Sequence, residues 1–173
     1  NTILVLAPHT DDGELGCGGT IARFIEEGAT VFYVAFSTAD QSLPANLPKG
    51  TLAKEVRTAT KELNILPDRL KILNYEVRKL NENRQSILED LVQLKNSIQP
   101  DLVLVPSLHD IHQDHQTIAN EGVRAFKNTT IWGYELLWNN ISFDTQCFVK
   151  LEEKHILKKI KALSHYQSQN NRP

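Results

Sequence analysis

Two short segments of the chain concentrate the side chains that could carry out metal-assisted chemistry. The first runs from His9 to Asp12 and reads His-Thr-Asp-Asp; the second, residues 109–115, holds three of the six histidines and two aspartates. Imidazole and carboxylate groups brought together from two loops are the ligands that zinc binds in catalytic sites. The sequence therefore predicts a divalent metal site built from both segments.

Spacing narrows the set of metal ligands. His9 and Asp12 stand three residues apart, so both could face one ion, and His115 could complete the set from the second segment. Catalytic zinc sites use three protein ligands and keep a fourth position for water. Spacing alone leaves open whether Asp11 or Asp12 binds the metal; the other would be free to take a proton from the water.

Each of these residues also has an ordinary structural explanation. A histidine at a strand end often only makes a hydrogen bond within its loop. Asp114 could be the N-cap of a following helix, and Asp11 and Asp12 could be turn residues. Two separate clusters that each follow a strand are harder to explain in this way, so we favour the metal site.

The glycines between residues 13 and 19 raise another alternative, a nucleotide-binding loop. The segment Gly13–Thr20 follows a strand and precedes a helix, but the G-x-G-x-x-G pattern would need a third glycine at Ile21, and no Walker lysine is present. We predict instead that these glycines let the backbone pass close to the metal pocket and the next helix. Cys17 is expected to be a small buried residue.

Apolar runs alternate with amphipathic helical patterns along the chain. Continuous apolar runs predict buried parallel strands at Thr2–Ala7, Thr30–Phe36, Leu70–Leu73, Leu102–Val105 and Thr130–Leu136, with Phe143–Lys150 as a further candidate. Helices are predicted over Thr20–Glu27, Leu52–Asn64, Gln85–Ile98, Ile118–Phe126 and Glu152–Tyr166. This alternation predicts an α/β fold, a Rossmann-like open and mostly parallel sheet with helices on both faces. Ligands of such sheets bind at the carboxyl ends of strands, where both segments lie.

Length and charge narrow the class of protein further. The 173 residues predict one domain over residues 1–173, and 19 Lys and Arg against 21 Asp and Glu give a formal charge of −2. Near-equal numbers of basic and acidic residues exclude a protein that binds nucleic acid mainly by charge. No apolar run is long enough for a membrane-spanning helix. Two cysteines are too few for a disulfide framework. The chain has no Met and does not show its native start, so a removed signal peptide stays open.

On these motifs the chain resembles the PIG-L/LmbE family of zinc-dependent N-deacetylases. The family motif A-H-P-D-D-E followed by L-G-x-G-G corresponds here to P-H-T-D-D-G at residues 8–13 and L-G-C-G-G at residues 15–19. The family motif H-P-D-H, often preceded by Asp, corresponds to D-I-H-Q-D-H at residues 110–115. Less specific similarity to the family is found in the helix from Glu55 to Asn64 and in H-Y-Q-S-Q at residues 165–169. The resemblance therefore covers nearly the whole chain.

The resemblance implies a role for each matching residue. It implies three ligands for one zinc ion per chain, with other divalent metals open: His9, Asp12 and His115. It implies that Asp11 is the general base and that His112 assists the tetrahedral intermediate or the leaving amine. Asp114 would orient His112, in keeping with the need of a catalytic imidazole for a fixed partner.

The same resemblance implies that the protein removes an acetyl group from an N-acetylated amino sugar or its conjugate and releases acetate. Its partner would be a small amino-sugar substrate; a homo-oligomer stays open, and we expect a cytoplasmic location. Two other functions also stay open: another metal-dependent hydrolase, such as a phosphoesterase with two metal ions, and a non-catalytic sugar- or metal-binding module. Intact Asp11, His112 and Asp114 favour the enzyme, because a binding module needs no base.

The chain departs from the family at several positions. Thr10 replaces Pro, and Gly13 replaces Glu, with Glu14 one position later. Leu52 stands where many members carry an arginine that contacts substrate, so we assign no substrate arginine; Arg57 is expected to be solvated. Family members usually continue beyond the tail motif, and we expect the chain to be trimmed and part of the pocket wall to be missing.

The remaining histidines and aromatic residues carry weaker signals. We expect His155 at the surface and His165 in packing contacts. Trp132, Tyr134 and Trp138 could stack on a sugar ring, but a core strand explains Trp132 and Tyr134 equally well, and we prefer the core for these two.

Overall fold

Five strands form one parallel sheet in the computed structural model, which describes residues 1–169 of the chain. The strands are β1 (Thr2–Ala7), β2 (Thr30–Ala35), β3 (Leu70–Ile72), β4 (Leu102–Pro106) and β5 (Thr130–Tyr134). Their order across the sheet is β3-β2-β1-β4-β5, and every neighbouring pair is parallel. The predicted α/β class and parallel sheet are confirmed.

Helices cover both faces of this sheet because strand residues alternate between two cores. The helices are α1 (Asp12–Glu26), α2 (Thr51–Glu62), α3 (Arg84–Ile98), α4 (Gln113–Ala125) and α5 (Glu153–Leu163); short 3-10 turns occur at Asp40–Ser42, Pro67–Arg69, Leu80–Asn83 and Gln167–Gln169. On β1, Ile3 and Val5 pack into the core that α1, α2 and α5 cover, whereas Leu4 and Leu6 pack into the core of α3 and α4.

The first helix begins at Asp12, so the prediction that it begins at Thr20 is wrong. Glycine lowers helix propensity, which makes residues 13–19 resemble a loop in sequence. Tertiary packing decides otherwise: a Cβ at Gly13 would lie 2.5 Å from the Tyr33 ring, and one at Gly16 would lie 2.2 Å from the Tyr134 ring. The backbone does approach other groups closely here, but these are the rings of Tyr33 in β2 and Tyr134 in β5 rather than the metal pocket or the next helix. Non-helical dihedrals at Cys17 kink α1 (φ −136°, ψ 19°).

Two other boundaries differ from the prediction. Helix α4 begins at Gln113 rather than Ile118, because the His112 ring caps it by accepting the Asp114 N–H at 3.2 Å. His112, not Asp114, is therefore the N-cap. The candidate strand at Phe143–Lys150 is wrong: this stretch holds no strand, and Phe148 is 84% exposed where a sheet strand would be packed.

The loops after β1 and β4 meet where the strand order reverses. The chain runs from β1 to β2 and β3 on one side of the sheet and returns to place β4 and β5 on the other. In open α/β sheets the ligand crevice forms at this reversal, outside the carboxyl ends of the strands. Both histidine-containing segments lie there.

The side chains outside the motifs give mixed outcomes. We expected His155 at the surface, and this prediction is wrong because the ring is buried. Its Nε2 lies 2.7 Å from Glu26 Oε2. Its Nδ1 accepts the Glu152 N–H, and this hydrogen bond caps α5. Tyr134 is buried in the core as preferred, and Trp132 packs against it half-buried. No helix within residues 1–169 is long and apolar enough to cross a membrane.

Candidate metal and catalytic site

His9 leaves the end of β1 with its two ring nitrogens engaged on opposite sides. Nε2 lies 2.9 Å from Asp114 Oδ2, and Nδ1 lies 3.1 Å from Asp12 Oδ2. A carboxylate accepts hydrogen bonds, so the contact with Asp114 places the proton on Nε2 in the neutral imidazole. The Nδ1 lone pair of His9 then faces Asp12.

His115 lies in the first turn of α4, and its two ring nitrogens have the opposite roles from those of His9. Its Nδ1 lies 2.7 Å from Asp110 Oδ2, and both side chains are buried. Its Nε2 lies 3.2 Å from Asp12 Oδ2 and 3.4 Å from His9 Nδ1. The two imidazoles therefore aim their remaining lone pairs at one point beside Asp12.

This donor set fits a divalent cation. Two imidazole nitrogens and one carboxylate oxygen lie 3.1, 3.2 and 3.4 Å apart. Ligand bonds of about 2.0–2.1 Å in tetrahedral geometry separate neighbouring ligand atoms by about 3.3 Å. Asp12 is also fixed by the His9 backbone N–H, which donates to Oδ2 at 2.8 Å. The predicted ligands His9, Asp12 and His115 are thus brought together.

The protonation behaviour of these three groups reflects their closeness. Burial acts to lower the pKa of both histidines, but the Asp12 charge and carboxylate hydrogen bonds prevail, raising the pKa of His9 to about 10 and that of His115 to about 9. Burial opposes ionisation of Asp12 as well, yet the two imidazoles hold its pKa well below the usual range. Protons therefore compete with a metal ion for the same lone pairs.

His112 offers a second way to assemble a ligand set. Ligand atoms of His9, His112 and His115 all lie within 4.8 Å of one another, and the His112 and His115 rings stack with centroids 4.5 Å apart. However, His112 Nδ1 accepts the Asp114 N–H, so the neutral ring carries its proton on Nε2. A protonated Nε2 is a hydrogen-bond donor, which favours Asp12 over His112 as the third ligand.

The charge state of His112 follows from its surroundings. Burial lowers the pKa of His112, and the neighbouring imidazoles of His115 and His9 lower it further. We expect a neutral ring at neutral pH that still presents an Nε2–H donor. His112 can therefore donate a hydrogen bond without being a protonated imidazolium.

Asp114 and Asp110 each contact one of the two histidines that face Asp12. The Asp114 carboxylate contacts His9 and accepts the N–H groups of Arg78 and Leu80. The prediction that Asp114 orients His112 is therefore wrong for this carboxylate. The backbone N–H of Asp114 does donate to the His112 ring. Asp110 was not among the residues predicted for the site, although it contacts His115 and lies five positions before it in the same motif.

Asp11 and His112 line one pocket of about 480 Å³, whereas Asp114 is fully buried and does not line it. This size is within the range of small-molecule sites. Asp11 is half-buried as the residue before α1, where its side chain makes no capping hydrogen bond. Trp138, 64% exposed, lines the same pocket. Leu52 and Arg78 also line it, and no motif indicated Arg78.

A buried polar cluster lies beneath the loop that carries His9 and Asp12. The hydroxyl of Tyr33 and that of Tyr166 both contact the Thr10 carbonyl, at 3.0 and 2.7 Å, and each also contacts a Glu14 carboxyl oxygen. Four contacts need more protons than two hydroxyls supply, so a protonated Glu14 satisfies the cluster best. Burial raises the pKa of Glu14 to about 8, in agreement.

The tail motif closes the pocket from the other side. Ser168 donates its backbone N–H to Glu55 at 2.9 Å and its hydroxyl to the same carboxylate at 2.5 Å. Together with the Tyr166 contact to Glu14, this fixes the segment so that Gln169 lines the pocket.

Comparison with known proteins identifies the family. The PIG-L family model, described as GlcNAc-PI de-N-acetylase, matches residues 4–126, and the chain belongs to this family. "Uncharacterized deacetylase YaiS" of Escherichia coli (strain K12) is 29% identical over 172 residues, covering 96% of this chain and 90% of that protein.

Solved structures share the fold. The N,N'-diacetylchitobiose deacetylase from Pyrococcus horikoshii aligns with a TM-score of 0.79 and 21% identity over 97% of this chain and 70% of that chain. The zinc-inhibited form of teicoplanin deacetylase Orf2 aligns with a TM-score of 0.76 and 17% identity over 98% and 85%. The family description and the name of the Escherichia coli relative both indicate a deacetylase, and the solved structures share the fold.

Proposed function

We propose that the protein is a zinc-dependent hydrolase that removes the acetyl group from an N-acetylated amino sugar or its conjugate and releases acetate. The observation that carries the proposal is the convergence of His9 Nδ1, Asp12 Oδ2 and His115 Nε2 beside Asp11 and His112. The names of the relatives, which include deacetylases of teicoplanin and diacetylchitobiose, support this substrate class.

The metal site would hold one zinc ion per chain on His9, Asp12 and His115. A bound divalent cation supplies a Lewis acid for the amide carbonyl and lowers the pKa of a bound water. Asp114 and Asp110 keep the two histidines in the tautomers that leave His9 Nδ1 and His115 Nε2 free for the ion.

Asp11 acts as the general base. Its carboxylate takes a proton from the attacking water while the water oxygen bonds to the amide carbon. The carbonyl oxygen becomes an oxyanion, to which His112 donates a hydrogen bond from Nε2–H. The carbon–nitrogen bond then breaks, and Asp11 passes its proton to the leaving amine, so the products are acetate and a free amine. Trp138 would stack on the sugar ring at the mouth of the pocket.

Replacing Asp11 tests the proposal directly. In an acetate-release assay with zinc and a panel of N-acetylated sugars and conjugates, Asp11→Asn should lower kcat about 10²- to 10⁴-fold, because the base is lost and the ligands are not. Zinc content should stay at one ion per chain. Asp68→Asn, which changes an exposed aspartate outside the pocket, is the matched control. A fully active Asp11→Asn variant would show that the base assignment is wrong.

The same measurements separate the other functions. Two metal ions per chain in the active protein would favour a phosphoesterase. A zinc-loaded protein that binds acetylated sugars without releasing acetate would favour a binding module. The single domain over residues 1–173, the cytoplasmic location and the oligomeric state stay predictions.

A further inference from the structure

Arg78 enters the catalytic pocket from the segment between β3 and α3. Among residues 1–169 it is the one lysine or arginine that lines this pocket, together with His9, Asp11 and Asp12. No motif contributes this residue to the site, and the mechanism above does not use it. Its presence therefore calls for a separate explanation.

The backbone of Arg78 adopts an unusual conformation. Its φ of 69° lies in the left-handed region, which is unfavourable for any residue with a β-carbon and which glycine adopts freely. Such outliers persist where the surroundings hold them, and they cluster at ligand sites. Arg78 adopts this conformation where the chain lines the pocket.

The same segment is tied to the metal-binding histidine. The Arg78 backbone N–H donates to Asp114 Oδ2 at 2.6 Å, and this oxygen also lies 2.9 Å from His9 Nε2. Leu80 donates its N–H to the other Asp114 oxygen at 3.3 Å. The backbone of Arg78 is therefore fixed relative to the reaction centre, and the residue lines the pocket.

The charge of Arg78 lacks a counterion. Its neighbour Lys79 pairs with Glu76 at 2.8 Å, but the Arg78 guanidinium forms no ion pair with any carboxylate of the described chain. Among the described residues that line the pocket, Arg78 therefore carries a positive charge without an ion-pair partner.

We propose that Arg78 binds an anionic group, a phosphate or a carboxylate, carried by the acetylated amino-sugar substrate. A guanidinium offers parallel N–H donors that match the two oxygens of such a group, and these charge-assisted pairs are strong and directional. The inference rests on the proposed function, because it names the substrate class of the same site.

Binding to an inactivated protein tests this proposal separately from catalysis. Zinc-loaded Asp11→Asn protein is titrated calorimetrically with N-acetylglucosamine 1-phosphate, N-acetylglucosamine 6-phosphate, N-acetylmuramic acid and the neutral methyl N-acetylglucosaminide. Arg78→Gly is added as the test variant, because glycine fits the left-handed backbone and the fold should persist. Arg57→Gln, which changes an exposed arginine of α2 outside the pocket, is the matched control.

At least one anionic sugar should bind about 10- to 100-fold more tightly than the neutral sugar, the range for losing a hydrogen-bonded pair with a charged group. Arg78→Gly should remove this preference and Arg57→Gln should keep it; the sugar that gains most tells phosphate from carboxylate. Equal binding of all four sugars overturns the proposal, and so does a preference that survives Arg78→Gly. Absence of acetate release by the unsubstituted protein would instead refute the proposed function.

Discussion

Replacing Asp110 by asparagine should weaken metal binding without removing a proposed ligand. One Asp110 oxygen accepts the His112 backbone N–H at 2.8 Å, and the other lies 2.7 Å from His115 Nδ1. Asparagine has one oxygen for these two donors, so its NH₂ group must face one of the two N–H groups. If it faces His115, the ring loses the partner that keeps Nε2 unprotonated.

The size of the effect follows from these contacts. The Asp110–His115 pair is buried on both sides, so water cannot replace the lost hydrogen bond. Loss of a carboxylate partner of a ligating histidine typically weakens metal binding about 10- to 100-fold. This corresponds to about 1.4–2.7 kcal/mol of binding free energy.

Zinc affinity is measured by competition with a chromogenic chelator at neutral pH. Asp90→Asn is the matched control, because Asp90 accepts the Tyr75 hydroxyl at a similar 2.7 Å but lies outside the pocket. Asp90→Asn should keep the zinc affinity of the unsubstituted protein. If a folded Asp110→Asn variant also keeps it, Asp110 does not control His115 and the reasoning fails.

Three further changes test the site and its support. His115→Ala should abolish stoichiometric zinc binding by elemental analysis, and retained zinc would refute the ligand assignment. Burial raises the pKa of Glu14 from 4.5 to about 8, so its stabilising contribution is present below pH 4.5 and is lost as pH rises through 8. In urea unfolding, Glu14→Gln should reduce this loss of unfolding free energy with rising pH. Parallel pH profiles of the two proteins would contradict this expectation. Gly16→Ala should lower the free energy of unfolding by about 1–3 kcal/mol, because its Cβ would lie 2.2 Å from Tyr134. Gly18→Ala should be tolerated, because its Cβ would meet only a flexible lysine. Equal losses of unfolding free energy in the two variants would contradict the packing explanation.

The fold and the centre of the site could be predicted because they depend on local patterns. Continuous apolar runs identify buried strands, and a parallel sheet places their carboxyl ends at one edge. The segments that carry His9 and His115 were therefore expected to meet at that edge. Which aspartate faces the two imidazoles came from the family resemblance rather than from spacing, and the contacts of Asp12 support that choice.

The errors arose where distant contacts decide the outcome. A glycine-rich segment is helical because Tyr33 and Tyr134 occupy the space of its side chains. Asp114 serves His9 across 105 residues rather than its neighbour His112. The hydrogen-bond partner of His155, Glu26, lies 129 residues away, and no local pattern indicates such a pairing.

The polar cluster beneath the site also sets the order in which the site can be completed during synthesis. The Thr10 carbonyl meets the Tyr33 hydroxyl early, but Tyr166 lies 156 residues further along the chain. At about 5–20 residues per second, the ribosome needs roughly 8 to 30 s to add that partner. A nascent chain therefore contains His9 and Asp12 long before Tyr166 can bind the loop that carries them. Its metal affinity should reach the final value only when the Tyr166 segment packs against this loop.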